Sequence, residues 1–359
     1  MNTVLETAPT NCPVCGGAGS ELYGGLRDKL FGAGGTWNMF RCARADCGMH
    51  WLNPIPDVEE LARAYQHYYT HEDTSAASLR TGIAREVYAD IVAGYLEARL
   101  GYALPTERRR YSKLWPLLYL LPLRRQREER AVMYLPLLKN QLLLDVGCGS
   151  GDRLARLTGL GWKTWGLDFD PQAVEVARNR GCEVRCGSLE EAAYPAETFD
   201  VVMMSHVIEH VPAPLGTLKE CFRILKPGGR LVLATPNIQS LGHAVFGVNW
   251  RGLEPPRHLH LFNRQALQAS LAQVGFVHVE VRSYVALSVI EESLRLRLGC
   301  SRTGGRRMLR KCLRMSALAA SLVALVLLEV LPAKGECLFA QAEKPSPGVP
   351  LERDSGSRR

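Results

Sequence analysis

Four cysteines, a run of alternate glycines between two aspartates, and a histidine–glutamate cluster have the residue types and spacing to do chemistry in this 359-residue chain. Leu142-Leu-Leu-Asp-Val-Gly-Cys-Gly-Ser-Gly151 is an apolar run ending in Asp145, with Gly147, Gly149 and Gly151 behind it. Strand, glycine turn and helix form a cradle where backbone approaches a nucleotide closely, because no side chain stands where the ligand must fit. Asp168 closes a second strand-like run, Trp162 to Leu167, and a carboxylate there can accept hydrogen bonds from both ribose hydroxyls. The spacing then selects the nucleotide. A dinucleotide site asks for G-x-G-x-x-G, whereas these glycines run G-x-G-x-G and Asp152 takes the place of the third. A carboxylate beside the turn repels a pyrophosphate but tolerates a cationic ligand such as S-adenosylmethionine, with its sulfonium and amino groups.

Acid–base groups follow another apolar run, Phe199 to Met204, in Ser205-His206-Val-Ile-Glu209-His210. The spacing predicts that a helix start puts His206 and His210 on one face, with Glu209 beside them. Imidazole titrates near neutrality and is a natural acceptor of a hydroxyl proton. A second group, Trp250, Arg257, His258 and His260, would line an acceptor pocket if the backbone is extended. His210 is the first choice of base and His258 the second. The alternatives are a loop-packing role for His210 and a water-exposed pair at 258 and 260.

Five landmarks in order give the core a family resemblance. They are Leu144-Asp-Val-Gly-Cys-Gly-Ser-Gly151, Gly166-Leu-Asp-Phe-Asp-Pro171, Phe199 to Val211, Leu225 to Asn237 (LKPGGRLVLATPN) and Leu271 to Phe276 (LAQVGF). Residues 141–285 thus resemble a class I S-adenosylmethionine-dependent methyltransferase. The resemblance implies an α/β fold, a Rossmann-like seven-stranded sheet with helices on both faces and the cofactor across the carboxyl ends of the first strands. It places Asp145, Gly147, Cys148, Gly149, Gly151, Asp168, Phe169, Ser188, Leu189 and Ser205 around that cofactor. Where the family usually has an acid at the adenine amino group, this chain has Ser188. Related small-molecule O-methyltransferases keep a Glu-His pair at the position of Glu209 and His210, some with a divalent metal. The first acidic position of that metal motif is Ser205 or His206 here, which speaks against a catalytic metal.

Cys12-Pro-Val-Cys15-Gly and Cys42-Ala-Arg-Ala-Asp-Cys47-Gly have the form of two zinc knuckles. Four thiolates fill a tetrahedral ion, so the zinc would be structural, and its binding would supply folding free energy to a segment too small for a core of its own. The run from Phe40 through Met49-His50-Trp-Leu-Asn-Pro resembles the zinc ribbons preceding certain bacterial small-molecule methyltransferases, with His50 expected at the surface.

Stepping outward, the organisation reads as a ribbon (1–56), a helical connecting or cap region (57–139), a methyltransferase core (140–285 and 335–345), a basic and apolar insertion (286–334) and a disordered tail (346–359). Asp57-Val-Glu-Glu-Leu is a capped helix start, and Tyr65, Tyr68 and Tyr69 give that segment an aromatic face. Residues 108–130 set leucines and aromatics between arginines, either a membrane-interface segment or a helical cap with a charged rim. The apolar run from Met315 to Leu328 follows a basic cluster, Arg302 to Arg314. At about 1.5 Å per residue it reaches about 21 Å, short of the roughly 30 Å hydrocarbon core. A monotopic anchor, a substrate wall and a buried helix remain open for it.

Composition agrees with a globular protein: 47% hydrophobic, 22% charged and a formal charge of +8. The opening Met-Asn-Thr-Val-Leu-Glu-Thr has neither the basic start nor the apolar core of an export signal. Eleven cysteines, an odd number, suit thiols and metal ligands in the cytoplasm rather than a disulfide framework. The expected function is methyl transfer to a small-molecule acceptor, by O-methylation of a lipid-linked, glycan or isoprenoid-type hydroxyl, with a possible peripheral location on an anionic inner membrane face. Two alternatives stand beside it: a nucleic-acid methyltransferase, disfavoured because no proline-rich catalytic motif follows Met204, and a non-catalytic cofactor-binding scaffold.

Overall fold

A computed structural model describes residues 11–65, 83–103, 110–138, 140–299 and 334–347. The amino-terminal part holds three antiparallel strands, β1 (Gly19–Leu26), β2 (Trp37–Cys42) and β3 (His50–Asn53). Helix α1 (Val58–Tyr65) opens with the capping box expected at Asp57. The Glu60 N–H donates to the Asp57 carboxylate at 2.8 Å, and the Asp57 N–H donates back to Glu60 at 3.1 Å. Helix α2 (Ile83–Leu100), a 3₁₀ segment (Ser112–Leu120) and α3 (Pro122–Ala131) complete the region before the main sheet.

The main sheet has seven strands. The chain runs β4 (Leu142–Val146), α4 (Asp152–Gly159), β5 (Lys163–Asp168), α5 (Pro171–Asn179), β6 (Val184–Cys186) and β7 (Phe199–Ser205). It continues through α6 (Pro214–Ile224), β8 (Leu225–Pro236), α7 (Leu241–Phe246), β9 (His260–Leu261), α8 (Arg264–Val274), β10 (Val277–Tyr284), α9 (Leu287–Leu298) and β11 (Cys337–Glu343). Strand order is β10-β11-β8-β7-β4-β5-β6, parallel from β6 to β8, with β11 antiparallel between β8 and β10. The run Gly335 to Lys344 thus supplies the returning strand that the family resemblance implies. The Rossmann-like class is the observed one, and the order reverses at β4, so the crevice for a ligand opens at the carboxyl ends of β4 and β5.

Period-two alternation builds both layers of the core. Leu143, Val201, Met203, Val232 and Phe339 face α2 and the residues after α3, packing on Tyr95, Tyr102, Val132 and Trp162. Leu144, Val202, Met204, Leu233 and Leu338 face the other way onto α6 and α8 through Leu218, Ile224, Leu267 and Leu271. The amino-terminal strands join the larger body through β9, which pairs with β3 so that Trp51 lies opposite His260. That pairing buries His50, expected at the surface. It is 6% exposed, one ring nitrogen lies 3.0 Å from the Gly48 carbonyl, and burial lowers its pKa to about 4.

Among the described residues no helix is long and apolar enough to cross a membrane. The runs 302–314 and 315–328, Tyr68 and Tyr69 lie outside the described residues.

Candidate functional site

At the carboxyl end of β4 the chain reverses through the glycine turn, and two of its glycines are needed for close approach. Gly147 has φ 71°, and a Cβ on it would lie 2.4 Å from the Val207 side chain. Gly151 has φ 78° as the residue capping α4, and a Cβ there would come 2.9 Å from Ala177 on α5. Both positions combine a left-handed backbone with no room for a side chain. The Gly149 N–H donates to one oxygen of Asp168 at 2.7 Å, and the Asp170 N–H donates to the other at 3.0 Å. Asp168 therefore ties the turn to the end of β5 as well as standing where a ribose would lie. It is 4% exposed, and burial raises its pKa despite these two backbone donors.

Asp145 is buried beneath the turn, and burial lifts its pKa to about 7. Its Oδ1 has no hydrogen-bond partner among the described residues. A buried carboxylate oxygen without a donor is costly, and a cationic amino group such as that of S-adenosylmethionine is the kind of donor it lacks. The residues thus fit this cofactor. The role expected of Asp152 needs correction: Arg180 neutralises it at 2.6 Å, so the glycine spacing, rather than a free negative charge, separates this turn from a dinucleotide site. Cys148 is half-buried and Phe169 is 54% exposed at the crevice. Ser188 and Glu191 form a reciprocal cap through backbone N–H donors at 2.9 and 3.2 Å, and Leu189 is buried behind them.

The segment after β7 is not the expected helix start. His206 adopts a left-handed conformation, φ 59°, and α6 begins only at Pro214. The histidines are instead organised by a turn around Glu209, which is completely buried. One Glu209 oxygen lies 3.0 Å from His206 Nδ1, and the other accepts from the Thr235 hydroxyl at 3.0 Å. Burial would raise the Glu209 pKa, but His206, then His210 and His258, outweigh it and lower it. His206 keeps 42% of its side chain exposed; partial loss of water opposes its charge, yet Cys337 and Glu209 outweigh this and raise the imidazolium pKa to about 10.

His210 Nδ1 lies 2.9 Å from the Arg257 carbonyl oxygen and 2.9 Å from the Tyr65 hydroxyl. A carbonyl only accepts, so the proton belongs on Nδ1 and the lone pair on Nε2. His258 stacks edge-on against His210 with ring centroids 4.8 Å apart. It is 5% exposed, its Nδ1 lies 2.7 Å from the Gly252 carbonyl, its Nε2 lies 3.4 Å from Glu254, and burial lowers its pKa to about 4. Ligand atoms of Glu209, His210 and His258 lie within 4.8 Å of one another. A divalent ion there would share the Glu209 oxygens with His206 and Thr235; as built, these side chains form a hydrogen-bonded acid–base cluster.

Trp250, Arg257 and His260 do not line an open pocket. They are 1%, 0% and 0% exposed. Trp250 donates through its indole N–H to Glu336 at 2.8 Å, and His260 Nδ1 lies 3.1 Å from the Val211 carbonyl. The extended backbone was expected to turn His258 and His260 to one pocket; instead His258 packs on His210 while β9 turns His260 inward against the Val211 carbonyl, and neither is exposed to water. Tyr65 is the contact the sequence did not disclose. Its ring meets Phe169 edge-on at 5.2 Å, so α1 spans the crevice from the cofactor side to His210.

The four amino-terminal cysteines also come together. Their sulfurs lie within 4.8 Å of one another, with Cys12 to Cys47 at 3.7 Å and Cys15 to Cys42 at 3.4 Å. Those separations far exceed a disulfide bond of about 2.05 Å. They suit thiolates sharing one tetrahedral ion, whose metal–sulfur bonds of about 2.3 Å put sulfurs about 3.8 Å apart.

Residues 119–281 match the model of the methyltransferase domain family. Among curated proteins, the chain is 36% identical over 139 residues to a ubiquinone biosynthesis O-methyltransferase of Xanthomonas oryzae pv. oryzae, a match covering 36% of this chain and 58% of that one. It is 33% identical over 148 residues to the protein of that name from Thiobacillus denitrificans, covering 38% and 63%. The chain thus spans less than two thirds of the length of these relatives. Similar solved structures include a Thermotoga maritima methyltransferase described as a possible histamine N-methyltransferase, with TM-score 0.42 and 18% identity over 66% of this chain and 96% of that one. Another is Haemonchus contortus phosphoethanolamine N-methyltransferase 2, with TM-score 0.44 and 17% identity over 71% and 60%.

Proposed function

We propose that this protein is a class I S-adenosylmethionine-dependent methyltransferase that methylates a hydroxyl of a small isoprenoid-type acceptor. The observation that carries the reading is the pairing of a glycine turn locked by Asp168 with a histidine held as a base beside it. The curated relatives' names support an oxygen acceptor of isoprenoid type. When bound, S-adenosylmethionine supplies a methyl group on a sulfonium, activated for in-line displacement. The chain's own residues do the rest. The turn at Gly147, Gly149 and Gly151 holds the donor with Asp145 and Asp168, while Phe169, Ser188, Leu189, Cys148 and Ser205 border it. Tyr65 and Phe169 exclude water from the crevice. His210 takes the acceptor proton at Nε2, and its Nδ1–H stays on the Arg257 carbonyl. His206, kept protonated by Glu209, supplies positive charge beside the acceptor oxygen. His258 buttresses the His210 ring. Transfer of labelled methyl from S-adenosylmethionine to a polyprenyl phenol tests this activity; product found only in nucleic acid or protein would overturn the acceptor class.

The amino-terminal cysteines are read as a structural zinc site. Cys12, Cys15, Cys42 and Cys47 would hold the ion, leaving no position for substrate. Protein prepared anaerobically is expected to contain about one zinc per chain, and Cys42→Ser to lose most of it. Wild-type protein with no zinc by elemental mass spectrometry would remove the site.

The segment before α3 supports a peripheral location on an anionic membrane surface. Leu114, Leu117, Leu120 and Leu121 are 44%, 47%, 77% and 48% exposed. Exposed Arg110, Lys113, Arg124 and Arg127 flank them, with no acidic residue between positions 110 and 127. Leucines inserted at headgroup depth and cations above them match an interfacial segment. In flotation with phosphatidylserine-containing vesicles the protein is expected to rise with the lipid, and the double variant Leu117→Glu, Leu120→Glu to remain below. Equal flotation of both would reject this surface.

A further inference from the structure

The loop after β1 reaches the centre of the site through one buried carboxylate. Asp28 Oδ1 accepts from the Leu30 and Phe31 N–H groups at 2.9 and 3.0 Å. Its Oδ2 accepts from the Ala33 N–H at 3.0 Å and lies 2.9 Å from the guanidinium of Arg257. The Arg257 side chain is 0% exposed and that of Asp28 is 1%. Arg257 also donates through Nε to Glu254 at 3.0 Å and through Nη1 to the Ala64 carbonyl at 3.0 Å, over the Phe31 ring at 4.4 Å. Burying such a cluster is costly, and ion pairs of this kind rarely stabilise more than apolar packing would; what they do supply here is a fixed position.

Two of the things so fixed touch His210. The backbone carbonyl of Arg257 is one partner of His210 Nδ1. The other partner is Tyr65, the residue after Ala64, whose carbonyl the Arg257 guanidinium holds. Both contacts that set the His210 tautomer are therefore anchored to one guanidinium, and the amino-terminal module holds that guanidinium from the far side. We propose that Asp28 is a positioning residue for His210: it fixes Arg257, and through it the Nδ1–H form that leaves Nε2 ready to accept a proton. This rests on the reading of His210 as the base. It makes the cysteine-bearing module a working part of the site rather than an appended one, since β3 and β9 pair directly beyond His258.

Asp28→Asn keeps the shape but sets an amide against the guanidinium, where a donor now faces a donor. The test is imidazole nitrogen NMR on the full-length, zinc-loaded protein with labelled histidine, the His210 signals being those missing from His210→Gln. The wild type is expected to give a single Nδ1–H pattern at His210. Asp28→Asn is expected to convert it to a tautomer mixture and to lower kcat about tenfold to a hundredfold. Affinity for S-adenosylmethionine and its KM should stay within about twofold, because the glycine turn is untouched. A general loss of stability would lower the active fraction without altering the tautomer of the folded molecules. Should Asp28→Asn not fold, Phe31→Leu removes the ring from Arg257 while keeping the ion pairs, and a smaller change in the same signal is expected. An unchanged His210 pattern in the folded variant overturns the proposal. If the pattern changes but His210→Gln retains activity, the positioning link stands and the assignment of the base fails.

Discussion

Replacing His210 with glutamine is expected to lower kcat for methyl transfer to a polyprenyl phenol by about 10²–10⁴-fold, the range for removing a positioned general base. Affinity for S-adenosylmethionine should stay within about twofold. The neighbouring histidines are poor substitutes for opposite reasons. His258 is buried, both its ring nitrogens face partners, and its pKa is lowered to about 4. His206 has its pKa raised to about 10, so near neutrality it carries a proton and cannot take another. His210 is half-buried and, among the described residues, commits only Nδ1, to the Arg257 carbonyl and the Tyr65 hydroxyl. Glutamine preserves a donor toward that carbonyl while abolishing the basic nitrogen. A kcat within threefold of wild type, measured with saturating donor, would remove His210 from the mechanism.

Asp168→Ala is expected to weaken S-adenosylmethionine binding by about 5- to 150-fold, corresponding to ~1–3 kcal/mol for lost hydrogen bonds to a charged group. Two losses combine. The ribose hydroxyls lose their acceptor, and the Gly149 and Asp170 N–H groups lose theirs. Asp168→Asn keeps one acceptor oxygen and should fall between wild type and alanine. Titration calorimetry on the three proteins gives the order directly. Equal affinities across the series would dismiss the assignment of the ribose site.

The parts of this molecule fixed by local backbone geometry could be read from the sequence. Alternate glycines before a helix leave few conformations, so the turn at Gly147 and Gly151 was legible, as was the order of the strands that carry the landmarks; the bond from the Gly149 N–H to Asp168 was not. The four cysteines were legible because each knuckle is local and only their meeting is long-range. What the sequence hid were partners far apart in it. Tyr65 reaches His210 across 145 positions, and Asp28 meets Arg257 from the other end of the chain. No periodicity announces such pairs. Arg257 was expected to line an open acceptor pocket because a lone arginine is rarely buried; two carboxylates, Asp28 and Glu254, make its burial possible. The expected helix at His206 failed for a local reason: that residue takes a left-handed φ, which ends any regular helix before it starts. His50 was misplaced because β9, the strand that covers it, comes some two hundred residues later.

One titration bears on all of this most directly: full-length wild-type protein against S-adenosylmethionine in a calorimeter. Saturable binding of one donor per chain is predicted, together with protection of the 147–151 amides from hydrogen exchange. A flat titration at millimolar donor, or binding that leaves those amides unprotected, would contradict the reading of the crevice between β4 and β5 as the methyl-donor site.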